Sequence, residues 1–106
     1  MTTMTGSVTA VFDFHGDTDE LAACYDIAVR RVAEVSSARP VVHIAIPREY
    51  GLMVVDVWSS FAALEVFEGN EEFRTALRES GLPEPEIRVY PVHNLGWPVD
   101  VMPMYR

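Results

Sequence analysis

Residues 52–58, LMVVDVW, are apolar at every position except Asp56. Short apolar runs rich in valine and aromatic residues are typical of β-strands. A strand that is apolar on both faces has to be covered on both faces. This stretch therefore predicts a buried strand.

A second strand is predicted just before this one, at residues 41–46, VVHIAI. Pro40 precedes it and Pro47 is expected to end it, because proline cannot donate a ladder hydrogen bond. Only residues 48–51 separate the two strands, which is short enough for a hairpin. The two strands are therefore predicted to be antiparallel neighbours.

A helix is predicted after the strand, with Ser59 or Ser60 as its N-cap. Gly69-Asn70 interrupts the helical pattern, which resumes at residues 71–79, so a kink or restart is expected there. Gly81 is placed to adopt the left-handed C-cap conformation. The inward positions are expected to be Phe61, Leu64, Phe67, Phe73, Ala76 and Leu77.

The two ends of the chain supply the remaining elements. Residues 8–15, VTAVFDFH, alternate and predict a strand. Asp17 then caps a helix whose apolar stripe includes Tyr25 and extends to about Val35. Residues 87–93, IRVYPVH, predict the fourth strand, and Pro91 indicates a position at the sheet edge.

This order predicts an α+β fold of the ferredoxin-like βαββαβ type, a four-stranded antiparallel sheet with two helices on one face. The first and third strands are expected to be central neighbours. We interpret residues 1–106 as one domain, with a core at 8–93 and an apolar C-terminal arm at 94–106.

Two helices cover only one face of such a sheet, and apolar residues are expected on the other face too. We predict that a second copy covers it, giving a homodimer through the sheet face, a dimeric α/β barrel. The arm is expected to lie across its own subunit or its partner. The residues assigned to the uncovered face are Val11, Val41, Leu52, Val54 and Val92.

Composition excludes several function classes. The net charge is −8 and the chain has no lysine, which argues against nucleic acid as a partner and excludes Schiff-base chemistry. Cys24 is the single cysteine, so an internal disulfide and a cysteine-cluster zinc site are both excluded. The polar start and the lack of a long apolar run predict a cytoplasmic protein with no membrane partner.

Residues 51–77, GLMVVDVWSSFAALEVFEGNEEFRTAL, resemble the antibiotic-biosynthesis monooxygenase-like, dimeric α/β-barrel superfamily. The matching features are Val57-Trp58 at the strand end, an aromatic residue at Phe67 before the kink, and Phe73 after it. Residues 81–85 leading into 90–94 extend the resemblance over nearly all the chain before the arm. It implies a fold shared by quinone-forming monooxygenases, haem-degrading enzymes, polyketide cyclases, lactone isomerases and members without known activity.

Membership in one branch of that superfamily, the haem-degrading enzymes, can be checked at individual residues. The haem-degrading enzymes place an axial histidine four residues after the aromatic matching Phe73, and here that position is Leu77, which cannot ligate iron. Phe67 stands where those enzymes have tryptophan. The resemblance therefore argues against haem degradation, and no cofactor is expected.

Polar residues on otherwise apolar strands form the candidate catalytic set. We expect the first and third strands to run parallel and end together, and the second strand to begin beside that end, which would bring these residues together. A histidine beside a carboxylate in an apolar pocket is suited to removing a proton. The set is Asp13, His15, His43 and Asp56, with Trp58, Phe67 and Tyr90 as substrate-binding aromatics.

These residues support a small-molecule pocket of the monooxygenase type, acting without cofactor on a phenolic or polyketide-like substrate. A small aromatic ligand is the expected partner, and no metal motif is present. One alternative is a non-catalytic scaffold or ligand carrier whose polar strand residues are structural. Another is an isomerase or cyclase that uses the same histidine as base.

Overall fold

The computed structural model describes residues 6–96 of the 106-residue chain. The arm predicted at 94–106 lies almost entirely outside the described residues. The elements are β1 (Val8–His15), α1 (Thr18–Val35), β2 (Val42–Arg48), β3 (Gly51–Trp58), α2 (Phe61–Glu68), α3 (Glu71–Ser80) and β4 (Glu86–Pro91). The predicted βαββαβ order is confirmed, with the second helical segment divided into α2 and α3.

The four strands form one sheet in the order β2-β3-β1-β4, and every neighbouring pair is antiparallel. The central placement of β1 and β3 is confirmed. Their expected parallel direction is wrong, because Val8 pairs with Trp58 and His15 pairs with Gly51. The crossover through α1 makes β1 and β2 parallel, and the β2–β3 hairpin then reverses β3.

Both strand prolines lie in edge strands. The predicted edge position of Pro91 is confirmed, although β4 ends at this residue and not at His93. Pro47 lies inside β2, which continues to Arg48. The prediction that Pro47 ends the strand is therefore wrong. An edge strand pairs on one side only, so it tolerates a residue without an N–H.

The helix boundaries follow local capping chemistry. Asp17 accepts a hydrogen bond from the Glu20 backbone N–H at 3.0 Å and starts α1. Ser60 and Asn70 cap α2 and α3 in the same way, so the predicted restart after Gly69 is confirmed. Gly81 ends α3 with φ of 90°, in the left-handed region that glycine adopts without strain.

The core lies between the helices and one face of the sheet. Phe12 and Phe14 of β1 lie opposite Val54 and Leu52 of β3, and all four side chains are buried there. Leu52 and Val54 were expected on the uncovered face, and that assignment is wrong. Register explains the correction, since directly paired residues point to the same face.

The other face, which we call the open face, has no helix of the described residues over it. Its centre is apolar and includes Val11, Val55 and Ile44, of which Ile44 is 47% exposed. Tyr90 on β4 is also about half exposed. Within residues 6–96, no helix has both the length and the apolar character needed to cross a membrane.

Candidate active site

His43 and Asp56 lie directly opposite each other on β2 and β3, on the helix-covered side of the sheet. The His43 Nδ1 atom is 2.5 Å from Asp56 Oδ1. The Asp56 side chain is 6% exposed and that of His43 is 34% exposed. An ionised carboxylate only accepts hydrogen bonds, so His43 donates from Nδ1. The carboxylate thereby fixes which imidazole nitrogen holds the proton.

Tyr25, from the inward side of α1, adds a third member. Its hydroxyl is hydrogen-bonded to His43 Nε2. The two rings are stacked, with centroids 5.9 Å apart and planes 12° from parallel. Because Nδ1 holds the proton of the neutral ring, Nε2 is the acceptor and the Tyr25 hydroxyl is the donor. We call Tyr25, His43 and Asp56 the acid–base cluster.

The pKa values in the acid–base cluster follow from these contacts. The hydrogen bond to Asp56 raises the pKa of His43 above its ordinary 6.5, partial burial opposes this, and the Asp56 charge adds to the rise. Burial raises the pKa of Tyr25, and the nearby Asp56 and Asp26 charges raise it further. Tyr25 therefore stays a neutral phenol, while His43 holds a proton more readily than a free imidazole does.

A cavity of about 320 Å³ between the helices and the sheet is bordered by the acid–base cluster. Phe12 and Phe14 of β1 line it from the sheet, and the connection from α1 to β2 contributes Arg39. The helices supply mainly apolar side chains, including Val32, Phe73 and Leu77. A concave apolar space with a few polar groups at one place is the usual form of a small-molecule site.

Arg39 also ends α1. Its guanidinium donates to the backbone carbonyls of Ser36, Ala38 and Ala33, at 2.6, 2.9 and 3.3 Å. A cation at the C-terminus of a helix is favourable because the last carbonyls have no helical partners. Arg39 therefore holds the segment that borders the cavity and leads into β2.

The three predicted substrate-binding aromatics are in different surroundings. Phe67 lines the cavity. Trp58 is 2% exposed and packs against Phe67, with ring centroids 4.7 Å apart, but it is not part of the cavity lining. Tyr90 pairs with Thr9 on the open face. Of the three, the cavity brings only Phe67 together with His43 and Asp56.

Asp13 and His15 lie on the open face of the sheet, away from the acid–base cluster, and the predicted convergence of all four catalytic candidates is wrong. Asp13 pairs with Met53 near the start of β3, whereas Asp56 pairs with Ala10 near the start of β1. Because β1 and β3 are antiparallel, the two carboxylates lie toward opposite ends of the sheet. They also lie on opposite faces, since Asp13 alternates with the inward-facing Phe12 and Phe14.

Asp13 belongs to a separate group on the open face. Arg48 Nη1 lies 3.2 Å from both Asp13 carboxylate oxygens, and Arg88 Nη2 lies 3.1 Å from Oδ2. We call Asp13, Arg48 and Arg88 the arginine cluster. His15 is largely exposed and lies 3.5 Å from Glu86. Among residues 6–96, no group of three or more histidine, cysteine or acidic side chains is placed to hold a metal ion.

Sequence reasoning placed Tyr25 on the apolar stripe of α1 and missed its contact with His43. The available signal was a tyrosine at an inward helical position of a protein with a histidine on a covered strand face. A buried tyrosine hydroxyl usually finds a hydrogen-bond partner. Which partner it finds depends on how α1 crosses the sheet, and helical spacing alone does not give that crossing.

Searches with the sequence found no matching family model and no matching curated protein. Solved structures do match. A Caulobacter crescentus protein assigned to the antibiotic biosynthesis monooxygenases has a TM-score of 0.68 and 18% identity, covering 86% of this chain and 93% of its own. SnoaB of Streptomyces nogalater, a cofactor-independent oxygenase, has a TM-score of 0.63 and 19% identity, covering 86% and 97%.

The chain has the fold of the antibiotic biosynthesis monooxygenases. Rv0793 of Mycobacterium tuberculosis also shares this fold, with a TM-score of 0.64, 12% identity, and coverage of 86% of this chain and 99% of its own. The resemblance predicted from residues 51–77 is thus confirmed for the fold. At these identities the likeness concerns the fold alone, because one fold supports many reactions.

Proposed function

We propose that this chain binds a small phenolic or polyketide-like molecule in the cavity and that His43 and Asp56 remove its hydroxyl proton, beginning a cofactor-independent oxygenation. The observation that supports this most is the hydrogen bond of 2.5 Å between His43 Nδ1 and Asp56 Oδ1 beside an apolar cavity. A carboxylate-held imidazole is a suitable base because the carboxylate stabilises the imidazolium that forms. SnoaB, which shares the fold, is a cofactor-independent oxygenase, so the proposed reaction is one that this fold can accommodate.

The cavity suits the reaction as well as the substrate. Phe12, Phe14, Phe67 and Phe73 offer ring surface for an aromatic ligand. Once deprotonated, an electron-rich phenolate can reduce dioxygen itself. One oxygen atom then becomes a carbonyl of the product quinone, and the other leaves as water with two hydrogens from the substrate. Because the substrate provides all the electrons, the protein has only to bind it, remove its proton and exclude water.

Oxygen consumption with 1-naphthol and dihydroxynaphthalenes, without added metal or cofactor, tests this proposal. We expect wild-type protein to consume one O₂ for each quinone formed. His43→Gln should lower turnover by about a hundredfold or more, whereas His93→Gln, which changes an exposed histidine outside the cavity lining, should not. Equal turnover by wild type and His43→Gln would contradict the proposal.

The same experiment separates the alternatives. Exchange of a substrate proton with D₂O without oxygen consumption would favour an isomerase or cyclase that uses the same base. Tight ligand binding with neither exchange nor oxygen consumption would favour a carrier. A carrier has no turnover, so His43→Gln should then change only the melting temperature or the affinity for the ligand.

We also propose that the protein is a homodimer joined through the open face. Ile44 and Tyr90 are about half exposed, and they extend a patch that includes Val11 and Val55. Contiguous apolar patches on a protein surface commonly mark interfaces. A second copy is the simplest partner, because a two-fold axis lets the same patch cover itself.

Sedimentation equilibrium tests the assembly. Wild type should sediment at twice the 11.9 kDa chain mass. Ile44→Glu should give monomers, because it would place a charge in the proposed contact, while Glu49→Gln, at the exposed β2–β3 turn, should leave the dimer intact. A monomeric wild type at all accessible concentrations would refute this interface.

A further inference from the structure

We propose that Tyr25 is itself a catalytic residue, the group that contacts the substrate hydroxyl and relays its proton to His43. This inference rests on the proposed function, because it assigns the path of the proton that the base removes. The starting observation is that both nitrogens of His43 are already engaged. Nδ1 is hydrogen-bonded to Asp56, and Nε2 is hydrogen-bonded to the Tyr25 hydroxyl. The basic nitrogen therefore has no free position for a substrate hydroxyl.

The Tyr25 oxygen does have acceptor capacity left. A tyrosine hydroxyl donates one hydrogen bond and has lone pairs with which to accept others. Its single donor is used on His43 Nε2, and among residues 6–96 it has no other hydrogen-bond partner. Tyr25 also lines the cavity. A substrate hydroxyl in the cavity thus finds a free acceptor at the Tyr25 oxygen and none at the nitrogens of His43.

The proton transfer balances in one concerted step. The substrate O–H bond breaks and its proton joins the Tyr25 oxygen, while the Tyr25 O–H bond breaks and that proton joins His43 Nε2. The products are a substrate phenolate, a neutral Tyr25 and an imidazolium held by Asp56. Tyr25 starts and ends as a phenol, which agrees with a residue that burial and neighbouring carboxylates keep protonated.

A competing possibility is that the substrate displaces Tyr25 and reaches His43 directly. Tyr25 lies well inside α1, an 18-residue helix with defined caps at Asp17 and Ser36. Arg31 of the same helix bonds to Glu79 of α3 at 3.1 Å. The ring is also stacked on the His43 imidazole. These restraints favour a tyrosine that stays in place and passes a proton over one that swings away.

Ionisation of 4-nitrophenol by the protein tests the relay, since the phenol and phenolate forms absorb at different wavelengths. Wild type should raise the phenolate fraction of the bound probe above that of free probe at the same pH. Tyr25→Phe should lower the bound phenolate-to-phenol ratio by about tenfold or more. Binding of 4-nitrotoluene, which has no hydroxyl, should be unchanged. Tyr50→Phe, the same change at an exposed tyrosine, should behave as wild type.

The outcomes separate the two proposals. If Tyr25→Phe ionises the probe as well as wild type or better, the substrate reaches His43 directly and the relay is refuted. If wild type fails to ionise the probe, or His43→Gln ionises it equally well, the proposed function itself fails. If Tyr25→Phe has a much lower melting temperature than wild type, a crystal structure of wild type with 4-nitrophenol distinguishes the relay from direct transfer to His43. A phenol oxygen bonded to Tyr25 Oη supports the relay, and one bonded to His43 Nε2 overturns it.

Discussion

The acid–base cluster and the arginine cluster each contain one buried aspartate, but they give that aspartate different partners. Asp56 is bonded to an imidazole, which gains and loses a proton near neutral pH. Asp13 is bonded to two guanidinium groups, which stay charged at any pH a protein tolerates. The first arrangement can move a proton and the second can only hold a charge.

The two clusters also lie on opposite faces of the sheet. The acid–base cluster faces the cavity on the helix-covered side. The arginine cluster links β2, β1 and β4 on the open face, because Arg48 and Arg88 come from the two edge strands and meet at Asp13 on a central one. We therefore assign chemistry to the first cluster and stabilisation of the sheet to the second.

The largest expected effect is the loss of activity in Asp56→Asn. The amide can still bond to Nδ1, but it offers no negative charge to stabilise the imidazolium and can donate a hydrogen bond that favours the wrong tautomer. Turnover of 1-naphthol should fall by about a hundredfold, measured at a temperature where circular dichroism shows both proteins to be folded. Asp13→Asn should keep wild-type turnover. Equal losses in the two variants would remove the functional distinction between the clusters.

The next effect is on stability and is expected at the other carboxylate. Asp13→Asn removes the charge that both arginines contact, and we expect it to lower the free energy of unfolding by about 1–3 kcal/mol. Urea unfolding followed by circular dichroism measures this change. Arg48→Gln, which leaves Arg88 on Asp13, should cost less, about 1 kcal/mol or below, since that arginine is half exposed. A larger cost for Arg48→Gln than for Asp13→Asn would contradict the account.

The pH dependence of stability should also differ between the clusters. The pKa of His43 is raised in the folded protein, so its protonation stabilises the fold. That contribution is fully present below the unfolded value of 6.5 and is lost as pH rises through the folded pKa. Asp56→Asn should therefore lower stability relative to wild type more at about pH 5.5 than at about pH 9. A gap that widens with rising pH would reverse the assigned sign.

The smallest expected effect is at His15. Its side chain is 65% exposed and its ionic partner Glu86 is 70% exposed, so His15→Gln should change the free energy of unfolding by less than about 0.5 kcal/mol. Turnover should stay at the wild-type level, because His15 is on the open face of the sheet and the cavity is on the helix-covered face. A large loss of turnover in His15→Gln would restore it as a catalytic candidate.

Much of the fold could be predicted because it depends on local chemistry. Asp17, Gly69-Asn70 and Gly81 set helix ends through caps and backbone conformation, which a sequence displays directly. The contact between His43 and Asp56 could also be predicted, since a short hairpin pairs its two strands in a narrow range of registers. These features depend on residues close together in the chain.

The errors arose where distant parts of the chain meet. The direction of β1 relative to β3 depends on the crossover and the hairpin together, and taking it as parallel placed Asp13 and His15 beside Asp56. Tyr25 was missed because its partner depends on how α1 lies over β2. Periodicity shows which face of a helix is apolar, but it does not show which strand residue lies under a given side chain.

The effect of Asp56 on the protonation of His43 can be measured by nuclear magnetic resonance of the His43 ring nitrogens across a pH titration. We expect a neutral ring with its proton on Nδ1, a titration midpoint above 6.5, and a lower midpoint in Asp56→Asn. Such a ring has a lone pair on Nε2 for the Tyr25 hydroxyl. A neutral ring with its proton on Nε2, or a midpoint at or below 6.5 that Asp56→Asn leaves unchanged, would contradict the assigned role of His43 and Asp56.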